Sequence, residues 1–424
     1  MRNHLCCRVG SEGGERKASN AMTGEIRHSN PRVRKMAIAV FWLLIAIVSA
    51  WALAIQEPGA DPAARLREGI ASIRRGDLSS AENILSELVK QEPNSATARY
   101  WMGIVFLEQS RNDAAAQSLL KAIELRPGYA EAYDALGIIY DRQGHYEKSE
   151  PAFLHALALK PDDTNALYNL GLSYLRQKRT AEAIARFQET LKIDERYAKA
   201  YLQLGLADSD LGKYLEARDW LEKYVALAPK DGFGYIKLGE VFFHLIMYPE
   251  AIQAFKTAST MAPDPSHALS QLGFTYYNLG QYPEAEQALE KARSLDPKNI
   301  DALLYLGTVL LDEGKRQDAF ACFDQSLALQ PTNSEALYYQ GYIYYLEGKL
   351  DKALTQLQAA VRYSPENAKA YYALALTYHQ LKQPEAAQEA LATFQKLQAQ
   401  QHGKTQKGAM YEFREREGLA HAVQ

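Results

Sequence analysis

Hydrophobic and polar residues fall into three regimes along the 424-residue chain. Residues 1–21 show no periodicity. From Met36 to Ile55 no side chain is charged. A helix of about 20 residues, rising about 1.5 Å per residue, reaches the roughly 30 Å of a bilayer core. Beyond residue 62 small and large residues return at one fixed interval of 34: Gly69, Gly103, Gly137, Gly171, Gly205, Gly239, Gly273, Gly307 and Gly341, with Ala375 next in phase. A second small series runs Ala81, Ala115, Ser149, Ala183, Ala217, Ala251, Ala285, Ala319, Ala353 and Ala387. A third series is Pro93, Pro127, Pro161, Pro229, Pro263, Pro297, Pro331 and Pro365. The spacing predicts two helices per period. Small residues let the two approach closely, and the Pro ends the second because it has no N–H and disfavours helix in the residue before it. Gly76, Gly144, Gly212, Gly280, Gly314 and Gly348 supply the positive-φ residue of the turn between them.

These phased residues resemble the tetratricopeptide repeat, a 34-residue helix-turn-helix unit. With Pro62 as position 1, the three series occupy positions 8, 20 and 32, and ten units fill residues 62–401. Position 24 is large, as the repeat asks: Leu119, Phe153, Phe187, Leu221, Phe255, Leu289, Phe323 and Leu357. Position 3 is Ala in every unit but the sixth, which has Gly234. The resemblance implies an all-α fold, a right-handed superhelical solenoid of tandem repeats. No single unit can bury its own apolar face, so each is stabilised by its neighbours. The first unit has Arg65, Glu68 and Ser72 where a later one has Tyr133, Leu136 and Tyr140, as a solvent-facing cap should. Pro384 to Gln401 reads as an extended last helix, with Leu391, Phe394 and Leu397 inward, and residues 402–424 as a polar tail.

Charge changes the picture at the N-terminus. Residues 1–35 hold eight basic side chains against three acids, although the whole chain is −3. Arg32, Arg34 and Lys35 precede the apolar run while Glu57 and Asp61 follow it, so the positive-inside rule leaves residues 1–35 in the cytoplasm and the repeats outside. Two uses of residues 36–55 stay open. One is a retained single-pass anchor in the cell membrane; the other is a signal-peptide segment cleaved near Ala50-Trp51-Ala52 or Ala52-Leu53-Ala54, which leaves the repeats periplasmic or secreted in a bacterial envelope. The mildly acidic balance provides no basic face for nucleic acid. Cys6 and Cys7 lie upstream of the apolar run and Cys322 stands alone in the body, so no disulfide is expected beyond the run.

No catalytic motif appears, and neither enzyme activity, cofactor nor metal is expected. The histidines are scattered, without H-E-x-x-H, a glycine-rich phosphate loop or G-x-S-x-G. Asp162-Asp163 reads as a helix cap pair. The resemblance places the binding groove, on the concave side, at positions 2, 5, 6, 9, 12 and 13 of the first helix. Neither the chaperone-tail clamp of the family nor the asparagine ladder of its glycosyltransferases is present there. Aromatic rings are, and Tyr305, Tyr338, Tyr339, Tyr342, Tyr345, Tyr372, Trp101 and Phe243 are the candidate partner contacts. Truncating Tyr339 or Tyr342 is expected to weaken binding with little loss of stability. Ile246 and Met247, apolar at the turn of the sixth unit, are a candidate patch for a partner or for self-association. The expected function is a scaffold for a protein or peptide ligand. An accessory subunit of an envelope glycan-handling complex, or a carbohydrate-binding array, is the alternative.

Overall fold

The computed structural model describes residues 61–405. The chain divides into two compact units, the first ending at Ile139 and the second beginning at Tyr140. Twenty helices and no strand occur among the described residues. The first unit holds α1 (Pro62–Arg74), α2 (Leu78–Gln91), α3 (Ala96–Glu108) and α4 (Asn112–Leu125), and α5 (Ala130–Arg142) runs across the boundary. Next come α6 (Tyr146–Leu159), α7 (Thr164–Arg176), α8 (Thr180–Ile193), α9 (Ala198–Asp210), α10 (Tyr214–Leu227) and α11 (Gly232–His244). They are followed by α12 (Tyr248–Met261), α13 (Pro265–Asn278), α14 (Tyr282–Leu295), α15 (Ile300–Asp312) and α16 (Arg316–Leu329). The last four are α17 (Ser334–Leu346), α18 (Leu350–Tyr363), α19 (Ala368–Gln380) and α20 (Pro384–Thr405). The architecture is an all-α solenoid of paired helices, as the 34-residue period predicts.

The single-pass location expected from the sequence is corrected here. Among the described residues no helix is long and apolar enough to cross a membrane. Helices of 13 or 14 residues rise only about 20 Å, and the 22-residue α20 carries Glu385, Glu389 and Lys396. The run 36–55, on which that expectation rested, lies outside the described residues, as do residues 1–35 and most of the 402–424 tail.

The small-residue series explains how each pair closes. A Cβ added at Gly239 would stand 2.6 Å from the ring of Phe255, one at Gly171 2.5 Å from Phe187, and one at Gly307 2.6 Å from Phe323. Those rings are 0–1% exposed and have nowhere to move. In the first unit the equivalent contact is Gly103 against Leu119, at 2.7 Å. Gly234, the departure at position 3, has its own cause: a Cβ there would meet the Tyr224 ring at 2.5 Å. Other units place a smaller side chain such as Ala258, Ala292 or Ser326 where Tyr224 lies, so the Gly accommodates the Tyr. Tyr224 is held in place by a hydrogen bond from its hydroxyl to Asp231. Gly234→Ala should therefore destabilise the fold by about 1 to 3 kcal/mol, and much less when Tyr224→Ala is also present. Thermal melts of the two single variants and the double variant check this, with strict additivity the contrary result.

Each intra-pair turn has one left-handed residue. Six are glycines, with φ from 70° to 82°, and four are Ser110, Lys178, Ile246 and Lys382, with φ of 60°, 60°, 62° and 59°. Ile246 is the strained member, because a β-branched side chain disfavours this region. Ile246→Gly is expected to raise stability by about 1 kcal/mol, read as a higher denaturation midpoint.

Polar contacts join successive pairs. Arg111 reaches back to Glu82 at 2.8 Å, Arg179 to Glu150 at 2.8 Å and Lys315 to Glu286 at 2.9 Å. Every one of these links position 16 of a unit to position 21 of the unit before. Position 34 caps the following helix in the same periodic way: Ser95, Asp163, Asp231, Asn299, Asn333 and Asn367 accept a backbone N–H of the first turn. Two of these caps also tie neighbouring pairs together. Asn299 Nδ2 donates to Ser266 Oγ at 2.8 Å, and Asn367 Nδ2 donates to Ser334 Oγ at 3.1 Å.

Candidate functional site

Trp101 belongs to the first unit. It packs against the core there beside Leu66, Ile73 and Phe106, edge-on to Tyr100 at 5.2 Å. The other candidate rings lie in the second unit, where they form connected runs. Phe243 of α11 meets Phe274 of α13 at 5.3 Å, and Phe274 stacks on Tyr305 of α15 at 4.3 Å and 18°. These rings come from positions 12, 9 and 6 of consecutive units, so the run follows the first helices of successive pairs.

The second run is built on α17. Tyr338, Tyr342 and Tyr345 are four and three residues apart, which puts them on one helix face. Their rings are 6.1 Å and 6.3 Å apart, each pair inclined by only 15°. Tyr338 also touches Tyr339 at 4.8 Å, and Tyr345 Oη accepts a hydrogen bond from Gln380 Nε2 at 3.1 Å. Tyr339 differs from the others. Its ring lies face to face with the buried Phe323 at 4.8 Å and 7°, and it lines the core of the preceding pair. Tyr372 packs on Phe394 of α20 at 5.1 Å. All of these tyrosines are half-buried. Burial pushes the Tyr305 and Tyr342 hydroxyls above their ordinary range and Tyr338 well above it, with Asp301 and Glu335 adding to the effect at Tyr305. The Tyr305, Tyr338 and Tyr342 hydroxyls therefore stay neutral at physiological pH.

Charged groups border this strip in two places. On α11 and α13, Glu240 accepts from Lys237 at 2.9 Å and lies 3.7 Å from His267. Burial raises the Glu240 carboxyl, but the bonds from His267 and Lys237 outweigh it and hold the group below its ordinary value. The hydrogen bond to Glu240 correspondingly raises His267. At the end of α15, Asp312 accepts from Tyr277 Oη at 2.8 Å. Burial raises Asp312, and the Tyr277 bond opposes the rise. The sequence reading missed both groupings, although their residues sit at groove positions: residues 27 and 35 apart had to be recognised as neighbours on adjacent first helices.

The turn of the sixth unit divides its two apolar residues. Ile246 is 48% exposed. Met247 is half-buried and packs against the core with Tyr214 and Ile252. It occupies position 16, where Arg111, Arg179 and Lys315 carry the cation of the inter-pair ion pairs, and the partner position 21 holds Arg218 rather than Glu. In this pair, side-chain packing stands in for an ion pair.

The site offers ring faces, hydroxyls and a few carboxylates. Among the described residues no group of three or more His, Cys, Asp or Glu could hold a metal ion. Asp163 caps α7 as the sequence predicts, accepting from the Asn165 and Ala166 N–H groups.

Comparison with known proteins accords with this architecture. Residues 189–410 match the model of the Cilia and flagella-associated protein 70 C-terminal domain. Residues 66–130, 135–198 and 118–150 match tetratricopeptide repeat models. No curated protein matches the chain. Similar solved structures include Pseudomonas aeruginosa PilF, 20% identical, covering 49% of this chain and 94% of that one with a TM-score of 0.44. Yeast Tom70 is 13% identical over 80% of this chain and 96% of its own, with a TM-score of 0.44. A tetratricopeptide repeat protein from Parabacteroides merdae is 19% identical over 59% of this chain and 98% of its own, with a TM-score of 0.41. The helix-pair array is of the tetratricopeptide type. With one family model matching just over half of the sequence and others matching upstream, the chain belongs to the tetratricopeptide-repeat family, residues 189–410 to its Cilia and flagella-associated protein 70 C-terminal domain group.

Proposed function

We propose that residues 62–401 form ten tetratricopeptide units that act as a non-enzymatic scaffold, and that the first-helix face of α11 to α19 receives a peptide segment of a partner protein. One observation carries this reading: half-buried rings at successive groove positions, Phe243 to Phe274 to Tyr305 and then Tyr338 to Tyr342 to Tyr345. Rings that keep part of their surface available can bury the rest against a partner at little entropic cost, and this is why Tyr is enriched at interface hot spots. Tyr305, Tyr338, Tyr342, Tyr345, Tyr372 and Phe243 are the contacts, with Tyr339 supporting them from below. Trp101 offers a similar ring in the first unit. Ile246, exposed and strained, is the candidate for a separate association contact.

Crosslinking followed by affinity recovery of the full chain tests the proposal. A protein recovered with the wild type should be largely lost with Tyr342→Ala and kept with Leu215→Ala, a change at an exposed residue of α10. Equal recovery from both variants would show that the strip is structural. Recovery of glycan without protein would point to carbohydrate instead.

A further inference from the structure

Around α15 and α17 the strip carries more than rings. Asp312, at groove position 13 of the preceding unit, accepts a hydrogen bond from Tyr277 Oη at 2.8 Å, and its charge acts on both Tyr338 and Tyr342 of α17. Asp301 and Glu335 act in the same way on Tyr305. The groove positions of residues 300–333 and 334–367 include these three acids and no Lys or Arg. The cation felt at Tyr342 is Arg316, at the start of α16 and off the groove positions. The Tyr338 ring packs against the buried cluster of Leu337, Ala360 and Ala370.

A ring face attracts a cation through its quadrupole, and a nearby carboxylate adds to the attraction. Three carboxylates spaced along two adjacent helices would repel an acidic segment and leave a neutral one indifferent. The geometry points to a basic partner: an extended segment whose Arg or Lys side chains lie against the faces of Tyr338 and Tyr342, with Asp312, Asp301 and Glu335 as counter-charges. Arginine suits the site better than lysine, since its planar guanidinium stacks on rings and is less strongly hydrated. This rests on the peptide-binding reading and names the chemistry of the occupant.

Short labelled peptides of alternating Gly and Arg, Gly and Gln, or Gly and Glu, titrated into the full-length protein and followed by fluorescence anisotropy, test the inference. The Arg peptide should bind, with an affinity that falls as salt rises, while the Gln peptide binds more weakly and the Glu peptide not at all. Asp312→Asn preserves the acceptor for Tyr277 and should weaken the Arg peptide about five-fold at low salt. Tyr342→Ala should weaken it about ten-fold, whereas Tyr342→Phe, which keeps the ring face, should not. Glu216→Gln, on an exposed part of α10, should have no effect. If Glu216→Gln weakens binding as much as Asp312→Asn does, the attraction is the diffuse field of an acidic body and the inference falls. If the Gln and Arg peptides bind equally and Tyr342→Ala weakens both, the strip binds peptides without charge preference: the basic partner is overturned and the peptide-binding reading stands. Binding of none of the three overturns the basic partner as well, and the recovery experiment with Tyr342→Ala decides the broader reading separately.

Discussion

Gly239→Val is expected to lower the unfolding free energy by about 3 kcal/mol. The mechanism is overpacking. The space a Cβ would need at Gly239 is filled by the Phe255 ring at 2.6 Å, and Phe255 is 1% exposed, enclosed by Ala251, Leu238 and Leu272. Valine's higher helix propensity returns only a few tenths of a kcal/mol. Because the repeats are coupled mainly to their neighbours, the damage should be local. Hydrogen exchange should show protection lost over α11 to α14 first, with α1 to α3 hardly changed. Gln253→Val, on the exposed side of α12, should be near neutral. Equal losses at 239 and 253 would mean that the pair interface is not where these contacts place it.

Tyr339→Ala should cost about 3 kcal/mol of stability, and Tyr342→Ala about 1 kcal/mol, despite their closeness in sequence. Tyr339 stacks face to face on Phe323, one of the largest fully buried side chains, so truncating it opens a cavity against the core. Tyr342 lies against other rings of the same face rather than against a fully buried side chain, so its truncation opens no cavity in the core. The sequence pattern groups the two as equivalent groove residues with little structural role. The stack on Phe323 sets Tyr339 apart as support for the strip. Urea denaturation of the two variants beside the Tyr342→Ala binding assay separates the roles. A Tyr339→Ala protein that melts like wild type while losing its partner would return Tyr339 to the contact surface.

The fold was legible because its determinants are local and periodic. One Gly at position 8, one small residue at 20, one large residue at 24 and one Pro at 32 recur in phase, and the close contact of Gly239 with Phe255 is the direct physical meaning of two of those series. Of the cap series at position 34, Asp163 was read from the sequence, whereas the caps at Ser95, Asn299 and Asn333 came from the structure. Gly234 could not be explained along the sequence, since its reason is the Tyr224 ring arriving from the preceding pair. Met247 misleads for a related cause: an apolar residue at a turn suggests an exposed patch, and only its packing against the buried cluster around Phe255 shows it turned inward. The site was half legible. Ring positions followed from the period, but the joining of Asp312 to Tyr277 and of His267 to Glu240 depends on how adjacent pairs stack.

Photo-crosslinking from the strip itself tests the binding face most directly. A benzophenone amino acid in place of Tyr342 in the full chain, irradiated in cells, should give a discrete adduct with one partner protein, competed by the alternating Gly and Arg peptide. The same group in place of Leu215 on α10 should give none. An adduct of equal yield from position 215, or no adduct from 342 while the protein remains folded, would contradict the assignment of the α11 to α19 face as the partner site.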